Sequence, residues 1–349
     1  MAEPQTAFES PAPTLSGGRL LFLALTRFWI FFFLLGLILY FTVSTPRHAF
    51  FQASNFKNIG LDTAEVILLA IGETFVIVTA GIDLSVGGIL VFSGVLGGLT
   101  MIRLSGTHEQ TANLMFPHAL RGILIGTLVC VVCGAGWGLF NGLLVTRLRL
   151  PPFIVTLGTL GITFGGADLL TGGTNLQSVP TSLQDGFGNG SVGGIYAPVL
   201  LAAFVVIVAH IALRRTRFGL YTAAIGSNNE GVRRTGVNVD RHLLKVYTLS
   251  GLLCGIAGLV DIARFGTENL SAHNTDNLNA IAAVVIGGTS LFGGVGTILG
   301  TVVGAFIPTV LQNGFVINQV DPFWQEVLVG ATIIIAVYID QVRRRRWNT

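Results

Sequence analysis

The chain is poor in charged residues and in the side chains that carry catalysis. Charged residues make up 11% of its 349 positions, against roughly 25% in an average soluble domain. There are only two lysines, Lys57 and Lys245, and neither belongs to the GxxxxGK[ST] pattern that cradles phosphate groups. The HExxH and Gly-x-Ser-x-Gly patterns and clusters at metal-ligand spacing are absent from the sequence as well. We therefore expect no enzyme, no cofactor and no metal site, with any ATP hydrolysis carried out by a separate subunit.

Cysteine is also rare. Cys130 and Cys133 form a CxxC within an apolar segment, and Cys254 stands alone. None has histidine or acidic neighbours at ligand spacing, so we predict that these thiols pack in the interior and take no part in redox chemistry.

Apolar sequence, in contrast, is abundant. Hydrophobic residues reach 51% and glycine occupies 46 positions. Because lipid offers no partner for backbone polar groups, apolar runs of ~20 residues indicate membrane-spanning helices, which glycine lets approach closely. The runs fall at about 22–43, 61–80, 84–102, 119–146, 151–170, 197–213, 246–265, 278–292, 297–317 and 323–340. We predict an all-α polytopic bundle of about ten transmembrane helices in a single domain, 19–349, after a flexible cytosolic tail at 1–18 that is not a signal peptide.

Basic residues lie at the ends of the apolar runs. With the tail in the cytosol, fifteen of the twenty Lys and Arg fall on the cytosolic side, as the positive-inside rule requires. The five on the other side are Arg47, Lys57, Arg103, Arg121 and Arg264. Both termini are therefore predicted to be cytosolic, and the net charge of +3 does not indicate a nucleic-acid partner.

One long segment is polar and basic. Residues 214–245, RRTRFGLYTAAIGSNNEGVRRTGVNVDRHLLK, hold seven of the twenty Lys and Arg. Because such a segment must lie in water, we interpret it as a cytosolic loop that docks onto a partner, and we call it the docking loop.

Two glycine-rich stretches interrupt the apolar runs, GIDLSVGG at 81–88 and GGTSLFGG at 287–294. Each is too short and too apolar at its flanks for an ordinary aqueous loop, so both are predicted to be helix breaks within or at the edge of the membrane. Paired breaks in two halves of a chain favour an internal repeat around a central pathway.

The second apolar run carries acids on one helical face. Glu73 lies mid-span, and Asp62 and Glu65 lie nearer one end. The opposite face is uniformly apolar, so we predict that this helix lines the bundle interior. An intramembrane acid is costly enough to suggest a function, and for Glu73 contact with solute and a structural hydrogen bond remain open alternatives. For Asp62 and Glu65 a wet interface is favoured.

Further polar side chains are candidates for a solute pathway. Asp83 precedes the next helix and is expected to support its start near Ser85, with direct solute contact as the alternative. Thr156, Thr159 and Thr163 form a hydroxyl stripe beside Phe153, a combination suited to a sugar, although threonine in membrane helices often bonds to backbone carbonyls instead. The predicted substrate pathway therefore comprises Glu73, Asp83, Phe153, Thr156 and Thr159.

Several separated stretches resemble one family, the membrane permeases of ribose-type sugar importers driven by an ATP-binding cassette. They are GETFVIVTAGIDLSVGG (72–88), PPFIVTLGTLGI (151–162), AIGSNNEGVRRTGVNVDRHLLKVYTLSGLLCGIAGL (224–259) and LNAIAAVVIGGTSLFGGVGTILGTVVGAF (278–306). The similarity runs from about residue 55 to the C-terminus.

The resemblance implies a permease in the bacterial plasma membrane, paired with a second permease copy or a paralogue. It also implies two cytosolic ATP-binding subunits and a periplasmic or extracellular sugar-binding protein. A short cytosolic helix of such permeases fits a groove on the ATPase, and this role maps onto Gly226, Asn228, Glu230, Arg233 and Gly236. The chain departs from the family pattern at two places. Gly231 and Val232 replace the two alanines that follow the glutamate of the pattern, here Glu230. Asparagine occupies positions 277 and 279, where relatives often have acidic residues.

Two alternatives remain. Within the same family, a nucleoside, polyol or autoinducer permease is possible. From another class, a proton-coupled secondary transporter would use Glu73 and Asp83 as proton sites. The docking loop argues against this carrier, because only an ATPase-coupled permease needs such an element.

Overall fold

The computed structural model describes residues 17–321 together with Phe323, Trp324, Val327, Leu328, Gly330, Ala331, Ile334 and Tyr338, and side chains are described from Ile30 onward. Within the predicted tail, only 17–18 are described, and they begin the first helix. Most of the predicted span 323–340 and the basic cluster at 343–346 lie outside the described residues.

The described chain is mostly helical. Its helices are α1 Gly17–Ser44, α2 Ala53–Val78, α3 Val86–Ser105, α4 His108–Ala112, α5 Ala119–Arg147, α6 Pro152–Thr171, α7 Thr181–Leu183, α8 Ala197–Arg215, α9 Arg217–Ser227, α10 Asn229–Arg234, α11 Val239–Phe265, α12 Asp276–Ile286 and α13 Ile298–Ile317. A 3₁₀ turn at Pro46–Phe51 and a π turn at Gln184–Gly188 complete the helical elements.

Six of the described helices are long and apolar enough to cross a membrane: α3, α5, α6, α8, α11 and α13. The all-α membrane architecture is confirmed to this extent, whereas the prediction of ten spans is not. The predicted span at 278–292 shows why. Its helix, α12, has 11 residues and ends at Ile286, because Gly288 adopts φ +89 and turns the chain out of the helix.

Helix α11 lies at the centre of the bundle, packed against α2, α3 and α5. It runs antiparallel to α2: Arg264, near the end of α11, forms an ion pair with Asp62, near the start of α2. At the other extreme, Gly81 lies beside Tyr247 near the start of α11. The bundle therefore has a docking-loop end and an opposite end.

Helix α2 lies in the interior, as predicted, but its acidic face and its apolar face do not differ in solvent exposure. From Thr63 to Val78 it is buried on all sides apart from the half-buried Val66. The reason is that α8, α11, α12 and α13 surround it, so the apolar face packs against helices as the acidic face does.

The second predicted break is non-helical throughout, whereas the first is non-helical only at 81–85, because 86–88 already belong to α3. After Val78 the chain leaves the helix, Ala80 adopts φ +63, and α3 begins at Val86. The second break separates α12 from α13. In α13, Gly300 and Gly304 lie four residues apart on one face and allow a close crossing with α12, since a Cβ on Gly304 would lie 2.0 Å from the carbonyl oxygen of Ala283.

The segment at 171–196 contains α7, the π turn and a small antiparallel hairpin, β1 Ser191–Val192 and β2 Ile195–Tyr196. Ahead of α7, the backbone of Leu176 pairs with that of Glu268 in an isolated bridge. The segment is thereby fixed to the connection between α11 and α12.

Candidate functional site

Two fully buried acids, Asp83 and Glu73, form hydrogen bonds around the break between α2 and α3. Asp83 Oδ1 accepts hydrogen bonds from the backbone N–H of Ser85 at 3.0 Å and from its hydroxyl at 2.5 Å, and Asp83 Oδ2 accepts from the Ser250 hydroxyl at 3.1 Å. The Asp83 N–H in turn donates to Glu73 Oε1 at 3.2 Å. Both acids have 0% exposure. Asp83 therefore supports the start of α3, as its position in the sequence suggested.

The network continues through α5 to α6. Asn141 Nδ2 donates to the Ser85 hydroxyl at 2.8 Å, and the Thr159 hydroxyl donates to Asn141 Oδ1 at 2.6 Å. Thr156 donates to the carbonyl of Ile82 at 3.3 Å as well as to its own helix. Four of the five predicted pathway residues thus lie around one break. Sequence reasoning gave Asn141 no part in this group, although a lone amide within an apolar run is a signal for such a role.

The fifth predicted pathway residue lies apart from this group. Phe153 is 52% exposed on the surface of α6. Its backbone carbonyl accepts a hydrogen bond from the Thr156 hydroxyl at 3.4 Å, but its ring lies at the surface, so the aromatic ring and the threonine stripe do not form one site within this chain.

Two buried oxygens beside this network have no hydrogen-bond partner among the described residues, Glu73 Oε2 and the Tyr247 hydroxyl. Such orphaned groups are uncommon in protein interiors, where most polar atoms are paired. They mark the Glu73 side of the network as the place where a further polar group can be accommodated.

The predicted coupling residues form one compact corner of the docking loop. Asn228 caps α10, because its Oδ1 accepts from the Gly231 N–H at 2.8 Å. Gly236 adopts φ +85 just after the helix. Arg233 donates to Asp240 Oδ1 at 2.5 Å, and this bond raises the pKa of the guanidinium. Helix α10 forms despite Gly231 and Val232. This departure from the family pattern therefore does not prevent the expected short cytosolic helix.

Gly226 joins the docking loop to both breaks. A Cβ at this position would lie 1.8 Å from the Val78 carbonyl oxygen and 2.6 Å from the Gly294 nitrogen. Val78 and Gly294 are themselves bonded, since the Gly294 N–H donates to Val78 O at 2.9 Å. Sequence reasoning located the two breaks and the loop separately and missed this junction. The glycine at 226 was the available signal.

A cavity of about 710 Å³ opens beside this junction. It is lined by the first break, by the α5–α6 turn and by the docking loop, including Gly226, Glu230 and Arg233. The coupling residues therefore surround a space continuous with the end of α2.

A second cavity, of about 490 Å³, opens at the opposite end between α2, α11, α12 and α13. Its wall includes the Asp62–Arg264 ion pair and Asn313, whose side-chain amide exchanges two hydrogen bonds with that of Asn55 at 2.9 and 3.0 Å. Asp62 is half-buried, in keeping with a wet interface, whereas Glu65 is buried.

The chain is similar along most of its length to known permeases. A family model described as the permease component of a branched-chain amino acid transport system matches residues 55–337. The fructose import permease protein FrcC of Rhizobium meliloti is 39% identical over 304 residues, covering 85% of this chain and 80% of that protein.

Two further relatives align over even more of their length. The ribose import permease protein RbsC of Escherichia coli is 34% identical over 315 residues (88% of this chain, 92% of the relative). The galactose/methyl galactoside import permease protein MglC of Haemophilus influenzae is 33% identical over 325 residues (90% and 93%). No solved structure matches the chain. By its helical membrane architecture and by these similarities, the chain belongs to the family of transport-system permease components.

Proposed function

We propose that this chain is the transmembrane subunit of an ATP-driven importer that moves a monosaccharide, ribose-, xylose- or galactose-like, across the bacterial plasma membrane by alternating access. The relatives named for fructose, ribose and galactose import support the class of solute. The observation that carries the proposal is the junction at Gly226, where a docking element touches both helix breaks through backbone atoms. A movement imposed on this loop by a partner reaches the centre of the bundle directly.

The proposed topology has ten spans with both termini in the cytosol. The six apolar helices are joined by α1, α2, the half-length α12 and the run at 323–340. The docking loop lies in the cytosol, where it would meet the ATP-binding subunits through Gly226, Asn228, Glu230, Arg233 and Gly236. The opposite end would face the solute-binding protein, and a second permease copy or a paralogue would complete the channel.

In the proposed cycle, ATP binding and hydrolysis on the partner subunits shift α9 and α10. Because α9 ends against Val78 and Gly294, this shift displaces the ends of α2 and α12–α13 together. The network around Asp83 would then transmit the displacement to α3, α5 and α6. Glu73, Asp83, Thr156 and Thr159 are proposed to border the solute path, with the unpaired Glu73 Oε2 as the group that meets solute hydroxyls. Phe153, on the α6 surface, would border that path only from the side of a second permease copy.

The test is uptake by the complete system. The chain is reconstituted into liposomes with its cognate ATP-binding subunits and sugar-binding protein, and uptake of labelled fructose, ribose, xylose, galactose, a nucleoside and a polyol is measured with and without ATP. We expect ATP-dependent uptake of a monosaccharide. Uptake of only the nucleoside or the polyol would replace the monosaccharide as the proposed solute but would keep the chain in the same permease family. Uptake by the chain alone, driven by a proton gradient, would replace the proposal with the secondary carrier.

A further inference from the structure

Four carboxylates surround a single buried histidine at the opposite end of the bundle. The side chain of His273 lies between Glu65 of α2, Asp261 of α11, Asp276 of α12 and Glu268 of the α11–α12 connection. Asp261, Glu268, His273 and Asp276 lie within 16 positions of the sequence, and the antiparallel packing of α2 on α11 adds Glu65.

The contacts of the imidazole divide between its two nitrogens. Nδ1 lies 2.7 Å from Asp276 Oδ2, a hydrogen-bond distance, and 3.4 Å from Glu65 Oε1. Nε2 faces Asp261 Oδ1 at 3.5 Å and Glu268 Oε1 at 3.9 Å and has no hydrogen-bond partner among the described residues. If Nδ1–H donates to Asp276, the Nε2 lone pair points at two carboxylates. This is the arrangement of a metal-binding histidine, whose other ring nitrogen donates to an orienting carboxylate.

Glu268 provides an independent observation. Its carboxylate is 0% exposed, and both of its oxygens lack a hydrogen-bond partner among the described residues. The backbone of Glu268 is held by two hydrogen bonds to Leu176, at 2.9 and 3.1 Å. The side chain enters the bundle over Gly94 of α3, where a Cβ would lie 2.1 Å from Glu268 Oε2. Because burial of an unpaired charge is very costly, a carboxylate so enclosed must be stabilised by a proton or by a bound cation.

The histidine alone does not supply enough positive charge. An imidazolium would balance one of the four carboxylates, and the nearby Arg264 is already paired with Asp62. A divalent cation adds two charges at the point that Nε2, Asp261 and Glu268 share.

We propose that Asp261, Glu268 and His273 bind a divalent transition-metal cation, with zinc as the best match and Asp276 as the residue that orients the imidazole. The three ligand atoms lie within 4.8 Å of one another. Two ligands about 2.1 Å from one zinc ion in tetrahedral geometry lie about 3.4 Å apart, close to the 3.5 Å between His273 Nε2 and Asp261 Oδ1. One nitrogen and two carboxylates suit zinc or manganese better than calcium or magnesium.

The site has an entry path. Asp261 and His273 line the 490 Å³ cavity, and Glu268 does not belong to its wall. An ion entering from the opposite end would therefore meet Asp261 and His273 first, with Glu268 closing the site from behind. The cation would fix the α11–α12 connection to the end of α11.

The direct test is metal binding by the purified full chain, carried on an affinity tag without histidine. The protein is stripped with a chelator, loaded with zinc, desalted and analysed for metal content, and the affinity is measured by titration. We expect one zinc per wild-type chain. Glu268→Gln and Asp261→Asn should lose it, and Asp276→Asn should bind about 10- to 100-fold more weakly because it disturbs only the orientation of His273. Glu109→Gln, an exposed acid on α4, is the matched control and should bind as the wild type does.

A second measurement keeps the proposal testable if the ligand variants do not fold. Cobalt added to stripped wild-type protein should give visible absorption bands of a coordinated ion, and zinc should abolish them. Helix content and monodispersity establish the folding of each variant. The proposal is overturned if the loaded wild type carries no more zinc than the stripped protein and gives no cobalt bands, or if folded Glu268→Gln binds zinc as tightly as the wild type. Either outcome would show that Asp261, Glu268 and His273 do not form a zinc site.

Discussion

The two ends of the molecule are built on different physical principles. At the docking-loop end the coupling residues are exposed, and they reach the core through backbone contacts at Gly226. At the opposite end, charged side chains are buried against one another around His273, and the backbone is held by a short bridge to Leu176. An exposed corner suits a surface that meets a partner and moves, whereas a buried charged cluster suits a region whose geometry stays fixed. We therefore predict that substitutions at the docking-loop end affect coupling to the partner, and that substitutions at the opposite end affect stability or ligand binding.

The largest expected effect concerns which side of the membrane each end occupies. A reporter that is active only outside the cytosol should be active when fused after Ser182 and silent when fused after Asn229, since the positive-inside rule puts the docking loop in the cytosol. Reporter activity in whole cells, normalised to the amount of fusion protein, is the measurement. Activity after Asn229 and silence after Ser182 would show that the topology is the reverse of the one proposed. The cavity beside Gly226 would then open to the outside, and the cavity beside His273 to the cytosol.

The junction at Gly226 should be the most sensitive single position at the docking-loop end. In Gly226→Val, the added carbons would overlap Val78 O, and overpacking of this kind costs about 1–3 kcal/mol or forces the backbone apart. We expect ATP-dependent uptake to fall to background even where the protein still inserts. Gly136→Ala, at a helical glycine with no neighbouring atom within 4 Å of the added Cβ, should transport normally. Normal uptake by Gly226→Val would show that the breaks do not need this contact.

The exposed corner should separate docking from folding. Glu230→Lys reverses a surface charge and Gly236→Pro removes a φ of +85 that proline cannot adopt, so both should disturb the contact with the ATPase while leaving the bundle intact. Losing one partner of an interface charge pair costs ~2–5 kcal/mol, more than about tenfold in affinity. Co-purification of the ATPase with tagged permease measures this.

Glu109→Lys makes the same charge reversal at an exposed position of α4 and is the control. It should retain the ATPase in full, together with normal membrane levels. If Glu230→Lys and Gly236→Pro also retain the ATPase and transport normally, the docking loop is only a solvated connection between helices.

These residues also show how far the sequence predicts the structure. Local signals were sufficient for the breaks and for the support that Asp83 gives to α3, because each depends on neighbours in the sequence. Helix α10 was expected from the family resemblance, and its Asn228 cap was not predicted. The half-length α12 was missed because the apolar run was continued to 292, past the start of the glycine-rich break at 287–294 that ends the helix at Ile286. The Gly226 junction and the His273 cluster were missed for another reason. Val78 and Gly294 are separated by some 200 positions, and tertiary packing alone brings them together. In the His273 cluster only Glu65 is that distant. Asp261, Glu268, His273 and Asp276 lie within 16 positions, but an irregular connection, whose course the sequence pattern does not specify, brings them together.

Glu73 tests whether the buried acid at the first break is functional. Glu73→Gln keeps an oxygen that can accept from the Asp83 N–H, so it should fold and assemble while uptake falls if the carboxylate meets solute or gates the path. Glu73→Leu leaves that buried N–H unpaired, which costs about 1–3 kcal/mol, and should also lower thermal stability. The two measurements are initial uptake rate and melting temperature in detergent. Full uptake by Glu73→Gln would return this residue to a purely structural role.

The smallest expected effect concerns the threonine stripe on α6. The Thr159 hydroxyl donates across to Asn141, whereas the Thr163 hydroxyl donates to the carbonyl of Thr159 in its own helix. Both side chains are buried, and Thr→Val at each is nearly isosteric. Thr159→Val should cost about 1–3 kcal/mol because it leaves the buried Asn141 oxygen unpaired, while Thr163→Val removes a bond to an already satisfied carbonyl and should cost less. Thermal unfolding of the two purified variants compares them directly. Equal stability would mean that the bond between Thr159 and Asn141 does not hold α6 to the network around Asp83.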